Sequence, residues 1–114
     1  MVDCVFCKIV QREIPSTIVY EDDELIAFND INPVSPVHLL IVPKKHLVNL
    51  NDVREEDTGL LGRMLLVASK LAGEKELHGR GYRTVINNGA EGGQIVMHLH
   101  LHLIGGKKLG HKMG

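Results

Sequence analysis

The sequence predicts an α+β fold, in which about five strands form a largely antiparallel sheet beside a short N-terminal helix and one long helix. Two observations predict this class: strand-like segments outnumber helical ones, and the two kinds do not alternate regularly along the chain. The chain has 114 residues, of which 44% are hydrophobic. We therefore expect a single domain over residues 1–114, with an apolar core of ordinary size.

The N-terminal half is expected to hold the short helix and three strands. Apolar residues at helical spacing predict a helix over residues 4–12, with Asp3 as its N-cap and Pro15 beyond its end. Strand-like segments follow, the first two joined by an acidic turn and the third preceded by a loop of turn-forming residues. They cover residues 18–20, 25–29 and 38–42.

The C-terminal half is expected to hold the long helix and two further strands. A helix over residues 54–75 is predicted, because apolar residues recur there at intervals of three and four and make one buried stripe. This stripe consists of Leu60, Leu61, Met64, Leu65, Ala68, Leu71 and Ala72. An alternating strand over residues 82–87 and a glycine-rich loop over residues 88–93 follow. The strongest strand signal covers residues 95–104.

Charge and hydropathy exclude several classes of function. Thirteen Lys and Arg residues oppose 14 Asp and Glu residues, so there is no basic surface for a nucleic acid polymer. No apolar run approaches the length that spans a membrane. The first residues lack the basic start and the long apolar stretch of a signal peptide. We therefore expect a cytoplasmic protein that has no membrane partner.

Histidine alternates with leucine in the sequence MHLHLHLI at residues 97–104. On a strand, His98, His100 and His102 share one face, about 6.6–6.8 Å apart per step. The leucines between them point to the opposite face, which must be core. A slip of one residue would bury three imidazoles, so the alternation sets the register of the strand.

Three interpretations of these histidines are open. A plain polar face is a poor use of side chains that titrate near neutral pH. A metal could take two ligands from alternate strand positions, but the third lies about 13 Å from the first. In catalysis, one imidazole acts as nucleophile while its neighbours donate hydrogen bonds to a phosphoryl group. The preceding Gly89, Gly92 and Gly93 favour catalysis, because glycines let backbone N–H groups approach phosphate oxygens.

The two cysteines, Cys4 and Cys7, form a C-x-x-C pair. A thioredoxin-like redox motif should follow a strand, and only three residues precede Cys4, so we reject that interpretation. Half of a zinc site remains, and it needs two further ligands from elsewhere. The alternative is a pair of reduced thiols on a short helix.

Taken together, these motifs resemble the histidine-triad (HIT) family, and within it the histidine triad nucleotide-binding branch. The family signature alternates three histidines with apolar residues, and it is unbroken from His98 to Ile104. The resemblance extends over nearly the whole chain. It includes FCKIVQREIPSTIVYEDD at 6–23, AFNDINPVSPVHLLIVPKKHL at 27–47 and the GYR…N…GGQ…HLHLHLIGG run at 81–106.

The resemblance implies a HIT-like fold and a covalent mechanism. By that resemblance His100 attacks the α-phosphorus of a nucleotide derivative, and water hydrolyses the nucleotidyl-histidine. His102 would bind the phosphoryl oxygens, and His98 would stand near the leaving group and help to position the nucleophile. His38 matches the histidine that orients the nucleophilic ring. A carbonyl, that of Leu101 or a neighbour, would set the tautomer of His100.

The resemblance also implies the nucleotide pocket. Asp30 would accept hydrogen bonds from both ribose hydroxyls, as a carboxylate can. The apolar walls around a purine base such as that of AMP would be Phe6, Ile9, Phe28 and Ile31, although plain core is the alternative for these residues. The phosphate site would be lined by Asn87, Gly93 and Gln94, and Ile95 would contribute to substrate binding through its backbone N–H. Many members have a hydroxylated residue where this chain has Ile95, which puts the leaving-group preference in doubt.

Features of the triad favour one branch over others. Related nucleotidylyltransferases carry Gln at the position of His102, whereas histidine favours hydrolysis. Dinucleoside polyphosphate hydrolases usually continue with Pro-Arg, whereas this chain has Gly105 and Gly106. The resemblance thus implies a nucleoside 5′-phosphoramidate hydrolase. A dinucleoside polyphosphate hydrolase and a non-catalytic nucleotide-binding scaffold remain as alternatives.

A metal site and a partner chain are implied as well. Cys4 and Cys7 resemble a structural zinc half-site of some bacterial members, whose other ligands match His46 and His98. Catalysis would need no metal. Family members form homodimers through the long helix and an edge strand, which gives one continuous sheet. Residues 107–114 would then reach toward the partner's active site.

Overall fold

The computed structural model describes residues 4–111 as five strands and two helices. The expected N-cap Asp3 and the last three residues of the tail lie outside the described part. Two 3₁₀ turns at residues 50–52 and 55–57 precede the long helix, which therefore begins later than predicted. The elements are α1 (Val5–Val10), β1 (Ile18–Glu21), β2 (Leu25–Asn29), β3 (Val37–Pro43), α2 (Thr58–Glu74), β4 (Tyr82–Val85) and β5 (Leu101–Gly105).

The strands form one antiparallel sheet in the order β1-β2-β3-β5-β4. β3 lies at its centre and is buried along nearly its whole length, because helices cover both faces there. The triad strand β5 pairs with β3, and Leu40 lies opposite His102 in that register. The predicted α+β class and the antiparallel sheet are confirmed.

The two faces of the sheet carry separate apolar clusters. Helix α2 covers one face, and Leu99, Leu101 and Leu103 point into the cluster beneath it, as the alternation predicts. The short helix α1 covers the other face. Its buried cluster consists of Cys4, Phe6, Ile9, Ile26, Phe28, Leu40 and Val42. The histidine face is therefore also covered, and the expectation that the register keeps all three imidazoles out of the interior was wrong.

Strand β5 begins at Leu101, six residues later than predicted. The register would place Leu99 opposite Pro43, and proline has no N–H for the next pair of the ladder. The Leu99 N–H instead donates to the carbonyl oxygen of Leu47 at 2.7 Å. Residues 95–100 therefore lie outside the sheet, and contacts such as this one position them instead. Strand β4 likewise ends at Val85, two residues early.

The stripe of α2 differs from the predicted one in two residues. Val67 is buried, whereas Leu65 turns away from the sheet and is 54% exposed. Leu61 is partly buried and still packs against the cluster beneath the helix. Leu66, beside Leu65, is 71% exposed. Helix α2 therefore has an apolar outer face as well as an inner one. In the described part of the chain, no helix is long and apolar enough to cross a membrane.

Candidate active site

The imidazoles of the triad project to the α1 side of the sheet. The Phe6 ring meets His98 and His100 edge-on, with ring centroids 5.9 Å and 5.1 Å away. The centroids of His100 and His102 are 4.9 Å apart. His98 is fully buried, His100 is nearly so, and His102 is half-buried. The predicted placement on one face is therefore correct.

The tautomer of His100 follows from one hydrogen bond. Its Nδ1 lies 2.7 Å from the carbonyl oxygen of His98. A carbonyl oxygen only accepts, so Nδ1 carries the hydrogen, and in the neutral ring Nε2 keeps its lone pair. The carbonyl that sets the tautomer is thus the one two residues earlier, not that of Leu101. Nε2 of His100 is available as a nucleophile.

A chain of hydrogen bonds sets the tautomer of His102. The Val34 N–H donates to Nδ1 of His38 at 3.1 Å, so the hydrogen of this ring is on Nε2. That Nε2 donates to Nδ1 of His102 at 2.9 Å, and it lies 3.4 Å from Oδ2 of Asp30. His102 therefore has its own hydrogen on Nε2, ready to donate. His38 orients His102 in this structure, and the expectation that it orients the nucleophilic ring was wrong.

Burial keeps both reactive imidazoles uncharged near neutral pH. Burial, and then the neighbouring His100 and His38, lower the pKa of His102 to about 4. Burial also lowers the pKa of His100, against the hydrogen bond to the His98 carbonyl, which raises it. A neutral His100 is a competent nucleophile, and a neutral His102 still donates one hydrogen bond.

His98 belongs to a second cluster, on the far side of Phe6. Its Nε2 donates to the carbonyl oxygen of Pro43 at 2.7 Å, which leaves the lone pair on Nδ1. That Nδ1 lies 3.3 Å from Cys4 Sγ, 3.6 Å from Cys7 Sγ and 3.1 Å from His46 Nδ1. With both ring nitrogens engaged and no exposed surface, the side chain of His98 cannot stand beside a leaving group. Only its carbonyl helps to position the nucleophile.

The geometry of this second cluster fits a tetrahedral zinc ion. Zn–S bonds of about 2.3 Å and Zn–N bonds of about 2.0 Å put tetrahedral ligand atoms about 3.3–3.8 Å apart. Cys7 Sγ and His46 Nδ1 are 3.2 Å apart, and all four ligand atoms lie within 4.8 Å of one another. Burial, and then the adjacent Cys4, raise the pKa of Cys7 to about 11, so without a cation this thiol stays protonated. A metal ion would favour the thiolate.

The expected base pocket divides into buried and exposed residues. The Phe6 and Phe28 rings pack edge to face with centroids 5.4 Å apart, and Ile9 is buried beside them. Ile31 is 87% exposed, so its side chain does not pack with these rings. Asp30 is half-buried, and its Oδ1 accepts from the Asn32 N–H at 2.8 Å. The expected pocket therefore combines a half-buried carboxylate with buried aromatic rings.

Two side chains of the expected phosphate site, those of Asn87 and Gln94, form hydrogen bonds to the backbone of the glycine loop. Asn87 Nδ2 donates to the Gly92 carbonyl oxygen at 2.8 Å, and Gly93 has a positive φ of 84°, which favours glycine. Gln94 is buried, and its Oε1 accepts from the Gly89 N–H at 2.9 Å while its Nε2 donates to the Val48 carbonyl at 2.6 Å.

The side-chain oxygen and nitrogen of Gln94 are thus both engaged within the protein. Gln94 supports the loop, and the expectation that its side chain lines the phosphate site was wrong. Ile95, which follows it, is 90% exposed. Sequence reasoning also missed Val34 and Pro43, whose backbone groups set the tautomers of His38 and His98. No sequence signal marks such contacts, since every residue type offers a carbonyl and every residue except proline offers a backbone N–H.

Comparison with known proteins defines the class. A model of the HIT domain family matches residues 11–109. A crystal structure of a HIT family hydrolase from Legionella pneumophila is 50% identical with a TM-score of 0.96, covering 98% of this chain and all of that one. A histidine triad protein from Clostridium difficile is 48% identical with a TM-score of 0.94, over 99% of this chain and 98% of that one. This chain belongs to the HIT family.

A relative with a named activity is also similar over almost its full length. The purine nucleoside phosphoramidase of Escherichia coli K12 is 47% identical over 108 residues, which are 95% of this chain and 91% of that protein. Together with the hydrolase neighbour, this relative supports hydrolase activity for the family member described here.

Proposed function

We propose that this protein hydrolyses the P–N bond of purine nucleoside 5′-phosphoramidates, with His100 as the nucleophile. The observation that carries the proposal is the 2.7 Å contact between Nδ1 of His100 and the His98 carbonyl, because it fixes the lone pair on Nε2. The activity named for the Escherichia coli relative supports this substrate class.

The reaction has two balanced steps. Nε2 of His100 attacks the α-phosphorus, the P–N bond breaks, and the amine takes a proton from water as it leaves; the hydroxide so formed is neutralised by the proton that the attacking water loses in the second step. Water then attacks the same phosphorus, which frees His100 and releases the nucleoside monophosphate. Nε2–H of His102 donates to a phosphoryl oxygen as negative charge builds on it. Asp30 would hold the ribose hydroxyls, and the Phe6 and Phe28 rings would border the base.

Turnover of a fluorogenic adenosine phosphoramidate tests the proposal. We expect His100→Ala to lower kcat/KM at least about a thousandfold while AMP still binds. His78→Ala is the matched control, since His78 is an exposed histidine bonded to the Ser69 carbonyl outside the site, and it should keep full activity. Near-normal turnover by His100→Ala would disprove the mechanism.

The same assay separates the alternatives. An enzyme should release one equivalent in a burst and then turn over. Stoichiometric AMP binding without turnover would indicate a binding protein. Preference for a dinucleoside polyphosphate in competition would indicate the other hydrolase class. None of these outcomes depends on the metal cluster, since His100 acts without a metal.

We propose further that the protein holds a structural zinc ion and forms a homodimer. Zinc would be held by Cys4, Cys7, His46 and His98, where it would tie α1 to the sheet as a structural ion. The outer face of α2 and the free edge of β4 would join two chains. Arg83 donates to the carbonyl oxygen of Gly110, so the described tail begins along its own β4 before any contact with a partner.

A further inference from the structure

We propose that Cys4 and Cys7 are a reversible oxidation site, and that their disulfide weakens nucleotide binding by moving Phe6 away from His100. The inference goes beyond hydrolysis, although its effect on the nucleotide pocket rests on the proposed function. It differs from a thioredoxin-like site, because the pair would not process other proteins but would change the shape of its own pocket.

The two sulfurs are close enough to join. Cys4 is the N-cap of α1, and its Sγ accepts from the Cys7 N–H at 3.3 Å. The two Sγ atoms lie at most 4.8 Å apart. A disulfide needs about 2.05 Å, so one or both side chains must turn. The chain contains no other cysteine, so an intrachain disulfide can form only here.

An oxidant has a route to the pair. Cys7 is only half-buried. Cys4 is buried, yet it lines a surface depression of about 380 Å³ together with Ile14 and Val96. This depression gives small molecules a route to Cys4 from outside the nucleotide pocket, and the exposed part of Cys7 gives them a second route.

A low-molecular-weight disulfide such as oxidised glutathione supplies the oxidising equivalents. The Cys4 thiol, which lines the depression, loses its proton as it attacks one sulfur of the oxidant, forms a mixed disulfide and expels the first small thiol. The Cys7 thiol then loses its proton as it attacks the Cys4 sulfur, and the second small thiol leaves. Two electrons pass to the oxidant, and the two protons lost by the cysteines end on the released thiols. In the zinc-bound form these protons come from water and the zinc ion leaves.

Closing the disulfide breaks contacts that hold α1 in place. Cys7 Sγ must leave His46 Nδ1, now 3.2 Å away, or Cys4 Sγ must leave His98 Nδ1 at 3.3 Å. Phe6 lies between the two cysteines on the same turn, and its ring packs against both His100 and Phe28. A rotation of this turn therefore moves an aromatic wall that borders the nucleophile.

The experiment treats purified wild-type protein with oxidised glutathione. We expect an intact mass lower by two hydrogen atoms in a chain that is not cross-linked to another, and release of any bound zinc to a chromogenic chelator. The Kd for AMP should rise about tenfold, the value of one lost aromatic contact. The nuclear Overhauser contact between the Phe6 and His100 rings should weaken, and dithiothreitol should reverse every change.

Two variants test whether the loss of AMP affinity comes from the Cys4–Cys7 disulfide and not from other oxidative damage. Cys7→Ser cannot close the disulfide, so its affinity for AMP should not respond to the oxidant. His46→Asn keeps both thiols but removes a possible metal ligand, and it should oxidise at least as fast as the wild type. A stable glutathione adduct, a disulfide between chains, or a closed disulfide with unchanged Kd and ring contact would overturn the proposal. The ring contact needs no substrate, so this result is independent of whether the phosphoramidate is hydrolysed.

Discussion

His38 Nε2 lies 2.9 Å from His102 Nδ1, which makes the fourth histidine a donor to the third member of the triad and not to its middle member. This bond leaves the hydrogen of His102 on Nε2, from which it can be donated to a phosphoryl oxygen in the proposed reaction. The position of His38 thus sets what His102 offers to the substrate.

Removing this bond should weaken catalysis without removing the nucleophile. We expect His38→Ala to lower kcat about 10–100-fold, since His102 loses the partner that fixes its ring. His38→Gln, whose amide can still donate, should recover part of the loss. Steady-state kinetics on the phosphoramidate measure both variants. Equal rates for the wild type and the alanine variant would contradict this role.

Metal content tests the zinc cluster directly. Protein purified without chelator should contain about one zinc per chain, and Cys4→Ser should lose it, since three ligands hold the ion less tightly than four. His78→Ala is the control, because this histidine is bonded to the Ser69 carbonyl outside the cluster. Less than about 0.1 equivalent in the wild type, with no rise in Tm on adding zinc, would reject the site.

Light scattering tests whether two chains associate. A homodimer should give twice the chain mass of 12.6 kDa. Leu66→Glu should give the single-chain mass, because a charge on the outer face of α2 cannot be buried against a copy of itself. Val34→Glu, an exposed apolar residue away from this helix, should leave the mass unchanged. A wild type that is a single chain at micromolar concentration would refute the dimer.

Acid should destabilise the protein partly through Asp22. Burial alone would raise the pKa of this carboxyl, but hydrogen bonds from Tyr20 and from the backbone of Glu24 and Leu25, with the charge of Arg63, lower it to about 2. A pKa below the usual 3.8 stabilises the folded state above pH 4, and this contribution is lost as pH falls toward 2.

The corresponding variant is Asp22→Asn. Its free energy of unfolding at pH 7 should be lower than that of the wild type by at most about 2 kcal/mol, and the difference should shrink toward pH 2. Asp23→Asn, which changes the exposed neighbour, should follow the wild type. Urea unfolding at several pH values measures all three. A difference that stays constant down to pH 2 would contradict the assignment.

The alternation of histidine and leucine carried most of what could be predicted. It placed Leu99, Leu101 and Leu103 in the core under α2, and it put the imidazoles together on the other face. The period and polarity of the sequence are enough for such predictions, because the face that a side chain takes depends on its position along its own strand.

The rest depended on contacts between distant residues. The start of β5 follows from Pro43, and the burial of His98 follows from Cys4 and His46. The role of Gln94 depends on backbone atoms of the loops that it joins. Such partners are brought together only by the folded chain, so neither periodicity nor residue type identifies them.

The missing N–H of Pro43 also has a consequence for local opening of the chain. Because the ladder between β3 and β5 stops there, residues 95–97 can open without breaking sheet hydrogen bonds, whereas residues 101–105 cannot. Hydrogen–deuterium exchange should therefore be rapid in the first segment and slow in the second. Bound AMP should slow exchange chiefly in the first, so that segment would report on ligand occupancy while the triad strand stays unchanged.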